Sequence, residues 1–133
     1  MNKNFPSLKY YREALGLGQK DLRIMLGYSK SHYQAVETGE RNSPKVISRA
    51  WELLNELENK KGLDYNSLKV MRCMCGLTRS EAAKQIGISP RYYSLIETGK
   101  YKSSIFEDRA KALFYMTLED KKCSQDFLIG SKV

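Results

Sequence analysis

"GISPRYYSLIETGK", positions 87–100, decides how this chain is read, because one short stretch holds a helix stop, a helix start and a second stop. Gly87 ends one helix, and Ser89 followed by Pro90 supplies an N-cap and a proline at the first helical position. The helix they start turns Tyr93 and Ile96 inward, and Gly99 ends it. Upstream, Thr78 opens a short helix, and Glu81 at its third position completes a capping-box pattern. Further upstream, Asp64 is expected to cap a helix through about Cys75, with Leu68, Met71 and Cys75 on one face. Downstream, Ser104 and Glu107 read as another capping box, launching a long helix with Ala110, Leu113 and Phe114 on its apolar side.

The same phrase occurs earlier. "YQAVETGE" at Tyr33–Glu40 answers "YSLIETGK" at Tyr93–Lys100, and the match extends without a gap at a constant offset. Leu8, Lys9, Arg12, Gly16, Leu17, Gly27 and Ser29 recur as Leu68, Lys69, Arg72, Gly76, Leu77, Gly87 and Ser89, and Arg49, Ala50 and Leu53 as Arg109, Ala110 and Leu113. Ungapped identity of this extent indicates two copies of one structural unit. The first copy follows the same plan, with helices over 6–15, 19–26, 30–38 and 44–61 and with Ser29 and Ser43 as N-caps. The expected fold is therefore all-α: two tandem four-helix units, 1–61 and 62–120, joined at "KKGLD", and a C-terminal tail over 121–133. In each unit the middle pair, two short helices around a glycine turn, describes a helix-turn-helix. The glycine suits a turn through positive φ.

Composition narrows the function. The chain has 133 residues and a net charge of +8, with 11 basic against 7 acidic residues in 1–61 and 12 against 8 in 62–133. The excess belongs to both copies and not to a basic tail, which favours a polyanionic partner met by each. No apolar run approaches a membrane span, and "MNKNFPSLKYYRE" lacks the apolar stretch of a secretory signal, so a cytoplasmic protein is expected. Cys73, Cys75 and Cys123 read as reduced small hydrophobes, with the only histidine, His32, far away in sequence; neither metal nor cofactor is expected. One histidine, no Gly-rich phosphate loop and no paired carboxylates leave no catalytic constellation, so the protein is not read as an enzyme.

The pattern Leu8, Arg12, Leu17, Gln19, Leu22, Gly27, Tyr33, Glu37, Gly39 resembles the lambda-repressor-like (XRE, Cro-type) helix-turn-helix family. Leu68, Arg72, Leu77, Ala83, Gly87, Ile88, Ser89, Tyr93, Ile96, Glu97 and Gly99 resemble it more closely. Two departures stand out: Arg23 where the family favours the small alanine seen at Ala83, and Arg79 where it favours the glutamine seen at Gln19. A carboxylate at a helix C-terminus opposes the helix dipole, so Glu37 and Glu97 need a cation nearby. The resemblance implies partly buried Arg12–Glu37 and Arg72–Glu97 pairs joining the first helix to the third.

The resemblance also implies double-stranded DNA as the partner, with the third helix of each copy in the major groove and its first residues at base edges. The outward residues there are Lys30, Ser31, His32 and Gln34 in one copy and Arg91, Tyr92 and Ser94 in the other. Phosphate contacts are expected from Gln19 and Arg79 at the start of the second helix, and from Arg41, Asn42, Lys45, Lys100, Tyr101 and Lys102 after the third. Two readers on one chain suit a bipartite, asymmetric site with half-sites roughly 34 Å apart. A bacterial, phage or plasmid regulator, with an autoregulated repressor as the leading form, is what the resemblance implies. A DNA-binding accessory factor in conjugation or recombination stays open. So does a protein-binding adapter, served by Tyr10, Tyr11, Trp51, Tyr101, Tyr115 and the tail "DFLIG". Phe127 to Ile129 offer a contact for a homodimer.

Overall fold

The computed structural model describes residues 2–130, with side-chain surroundings over 2–121. Among the described residues there are eight helices and no strand: α1 (Leu8–Ala14), α2 (Gln19–Leu26), α3 (Lys30–Thr38), α4 (Pro44–Lys61), α5 (Leu68–Cys75), α6 (Arg79–Ile86), α7 (Pro90–Glu97) and α8 (Ser104–Gly130). The fold is all-α, as capping and periodicity predict. The backbone divides into two compact units, the first ending at Tyr65 and the second starting at Asn66. The sequence puts the junction at 61–62, and α4 does end there, with Gly62 at φ +75°. The first unit nevertheless continues to Tyr65, which donates its hydroxyl to Glu58 (2.7 Å) and lies 6.3 Å, ring to ring, from Phe5.

Helix boundaries follow the side chains that reach free backbone amides. Ser29 and Ser89 accept from the amides of His32 (3.2 Å) and Tyr92 (3.1 Å), and Thr78 and Glu81 form the reciprocal capping box. Ser89→Ala should therefore lower the stability of the second unit by about 1 kcal/mol, read as a lower urea midpoint at unchanged slope. Three expected boundaries are corrected. Ser67, not Asp64, caps α5, because its Oγ reaches the Val70 amide at 3.2 Å. Ser103, not Ser104, accepts from the Phe106 amide at the start of α8 (3.5 Å). α1 starts at Leu8 and not at Pro6, since Ser7 before it is extended (φ −155°, ψ 164°). α8 runs to Gly130, and no glycine or proline interrupts residues 104–129.

The two cores use equivalent positions with different volumes. Leu8, Tyr11, Leu22, Tyr33, Val36, Ala50 and Leu54 are buried in the first unit, and Leu68, Met71, Ala82, Tyr93, Ile96, Ala110 and Phe114 in the second. Met71 and Ala82 are smaller than Tyr11 and Leu22, and Ile96 and Phe114 are larger than Val36 and Leu54, so the two cores fill the same positions differently. The first unit alone adds an aromatic stack, with Phe5 on Tyr11 at 4.8 Å and Tyr11 on Trp51 at 5.3 Å. Tyr11 and Trp51 are thus core residues (0% and 6% exposed), and the reading of either as a partner-binding surface is withdrawn. Burial and the neighbouring Glu58 push the Tyr11 phenol up to about 12. Cys73 and Cys75 are buried, and burial pushes the Cys75 thiol up to about 11, which keeps it protonated. Cys123 and Phe127 to Ile129 lie outside the residues whose side chains are described.

Candidate nucleic-acid interface

Each unit sets two short helices across a glycine. Gly27 ends α2 at φ +79° and Gly87 ends α6 at φ +91°, a region in which an L side chain is strained. Backbone amides close the turn, Tyr28 to the Arg23 carbonyl (2.9 Å) and Ile88 to the Ala83 carbonyl (3.0 Å). The following serine then restarts the helix, so α3 and α7 project their first residues from a rigid bend.

The helix exit is held by a buried polar cluster. Arg12 donates from Nη2 and Nε to the Glu37 carboxylate (2.8 and 3.2 Å), and Arg72 does the same to Glu97 from Nε and Nη2 (2.6 and 3.4 Å). Their side chains are 7% and 3% exposed in the first pair and 4% and 1% in the second. The third nitrogen of each guanidinium, Nη1, donates to the carbonyl of Leu17 or Leu77 at 2.7 Å. One arginine thus ties the first helix, the turn after it and the third helix together. Tyr33 and Tyr93 donate their hydroxyls to the same carboxylates, and burial with the adjacent glutamate pushes both phenols well up. In "ETG" the threonine hydroxyls of Thr38 and Thr98 donate back to the carbonyls of Gln34 (2.9 Å) and Ser94 (2.8 Å). Gly39 and Gly99 carry positive φ out of the helix.

Gln19 and Arg79 are turned into this cluster instead of standing free at the start of their helices. Gln19 donates from Nε2 to Glu37 (3.1 Å) and Arg79 from Nε to Glu97 (2.7 Å), because a carboxylate at a helix C-terminus draws every donor in reach. Arg79 keeps a 43% exposed side chain. Burial pushes the Glu37 carboxyl up, but the hydrogen bonds and charge of Arg12, with Tyr33 and Gln19, hold it below its ordinary value. A carboxyl with a depressed folded value stabilises at pH above the unfolded value, and that stability disappears as pH falls through the folded one. The first unit should therefore lose urea resistance in acid, and Glu37→Gln should flatten that acid limb in a series of urea midpoints against pH.

The outward face of the third helices is mixed. Lys30, Ser31, Gln34 and Arg91 are exposed, and Ser94 is half-buried. His32 is half-buried with its ring edge on Tyr28 at 4.9 Å. Tyr92 departs furthest from its expected base-edge position: its ring packs edge-on against Phe106 (5.6 Å) and beside Tyr101 (5.3 Å), against the apolar core. Arg41, Asn42, Lys45, Lys100, Tyr101 and Lys102 are all exposed, following the third helix in both units.

The helix-turn-helix family model matches residues 68–107. That stretch runs from the start of α5 into α8 and includes α6, the Gly87 turn and α7, so the match falls wholly within the second unit. No curated protein and no solved structure matches the chain. Among the described residues no group of His, Cys, Asp or Glu is placed to hold a metal ion, and no helix is long and apolar enough to cross a membrane.

Proposed function

We propose that the protein binds double-stranded DNA sequence-specifically and regulates transcription, reading two unlike half-sites with its two units. The supporting observation is that both units pair a rigid glycine bend with an exposed polar or basic first stretch of the third helix, followed by exposed cations. Lys30, Ser31 and Gln34 read one half-site; Arg91 and Ser94 read the other. Arg41 and Lys45, with Lys100 and Lys102, hold phosphates on either side and make affinity fall steeply with salt. Repression by occupancy of an operator is the simplest action of such a reader. Selection of duplexes from a random pool, followed by titration of the winner across salt concentrations, tests the reading. A recovered consensus is the expected result, and equal affinity for all duplexes would defeat it. An adapter reading draws on Ile24 and Met25, which stand 59% and 46% exposed on α2, and a loss of Lys30 and Arg91 without effect on binding would favour it.

A further inference from the structure

In the first unit α2 and α3 border a cleft of about 310 Å³ lined by Gln19, Lys20, Arg23, Lys30 and Tyr33. The Gln19 amide and the Tyr33 hydroxyl are committed to Glu37, whose charge Arg12 already meets. Lys20, Arg23 and Lys30 bring three positive charges to the same cleft, and none of them has an ion-pair partner among the described residues. Lys20 and Arg23 are also neighbours at i, i+3 on one helix. The fold does not require these cations. The second unit builds the same bend with Ser80, Ala83 and Pro90 at those positions, and Ala83 is fully buried there.

We propose that this cleft is a binding site for a small molecule carrying a doubly or more highly charged phosphoryl group. The guanidinium of Arg23 offers a planar fork to two phosphoryl oxygens, and Lys20 and Lys30 add point charges on either side. The volume falls at the lower end of small-ligand pockets, and three cations exceed the single charge of a backbone phosphodiester. Lys30 begins α3, so an occupied cleft competes with nucleic acid for it. The site itself stands without the DNA reading, since its first test uses no DNA.

The probe is inorganic pyrophosphate, titrated into the full chain at constant ionic strength and followed by calorimetry and by amide shifts. One-site saturation is expected, with shifts confined to residues 19–33. The double variant Lys20→Ser, Arg23→Ala, which installs the second unit's own residues, should bind at least about tenfold more weakly while melting as wild type does. Unsaturable binding spread over all lysines, or equal saturation by the variant, overturns the proposal. In a second arm pyrophosphate should displace a bound duplex from wild type more effectively than from the variant. If instead the variant loses duplex affinity while wild type never saturates with pyrophosphate, the cations serve only the DNA backbone and the small-molecule site is overturned.

Discussion

Arg12→Ala should destabilise the first unit by about 3–5 kcal/mol, the usual cost of leaving a buried charge without its partner, and Arg72→Ala should cost the second unit less. The difference comes from the remaining donors. Without Arg12, the Glu37 carboxylate keeps only neutral groups, the Gln19 amide and the Tyr33 hydroxyl. Without Arg72, Glu97 keeps Tyr93 and a cation, Arg79, at 2.7 Å. Both variants also release a carbonyl, Leu17 or Leu77. A domain of this size has about 5–15 kcal/mol in all, so Arg12→Ala brings the first unit close to unfolding. The single tryptophan, Trp51, is buried in that unit and reports its urea transition separately from the helical signal of the whole chain. Equal losses would show that Arg79 contributes nothing. An unchanged Trp51 transition in Arg12→Ala would remove the pair from the account of the fold. Removing Arg79 together with Arg72 should bring the second unit's loss up to that of Arg12→Ala.

This asymmetry was only partly legible in the residues. Glycines at positive φ, the Ser-Pro start and the Thr-Glu box are local devices, so Gly27, Gly87, Ser89 and Thr78 announce the helices on their own. The pairing of Arg with Glu was legible through the dipole argument and the recurrence of both residues. The further donors were not, because a side chain's choice between solvent, phosphate and a buried carboxylate depends on which helix faces it. Gln19 and Arg79 suited a phosphate in sequence and are turned to Glu37 and Glu97 in space. Tyr92 reads as outward from helical spacing alone, yet Phe106 and Tyr101, supplied from beyond the helix, pack against its ring and leave it half-buried. Tyr11 and Trp51 carry no sign of burial in their types, and the Phe5 stack that encloses them comes from the segment before α1. The cationic cleft left one trace in the sequence: Arg23 where a small alanine is expected.

The second large effect concerns selectivity. Arg91→Ala should relax sequence preference in one half of the protected DNA and leave the other half intact, and Lys30→Ala should do the reverse. The reasoning starts from side chains that differ at nearly every outward position, "SKSHYQ" against "SPRYYS", on two bends of the same construction. Pro90 replaces Lys30 in the second unit, and the half-buried Tyr92 packs on Phe106, so Arg91 is left as its exposed basic residue near the start of α7. A bidentate contact of an arginine with a guanine edge discriminates by about 1–3 kcal/mol, so Arg91→Ala should lower the preference for the selected base by roughly ten- to a hundredfold. Lys30→Ala should do less, since an ammonium offers a point charge instead of a fork. With Lys100 and Lys102 as the proposed phosphate contacts, substituting them should weaken every duplex alike and flatten the salt dependence. Footprinting of both variants on the selected duplex separates these outcomes. Two unlike half-sites, each losing definition with its own variant, is the expected pattern. Selectivity unchanged throughout the footprint in either variant would make that unit a prop or a protein-binding surface, and a single reader would remain.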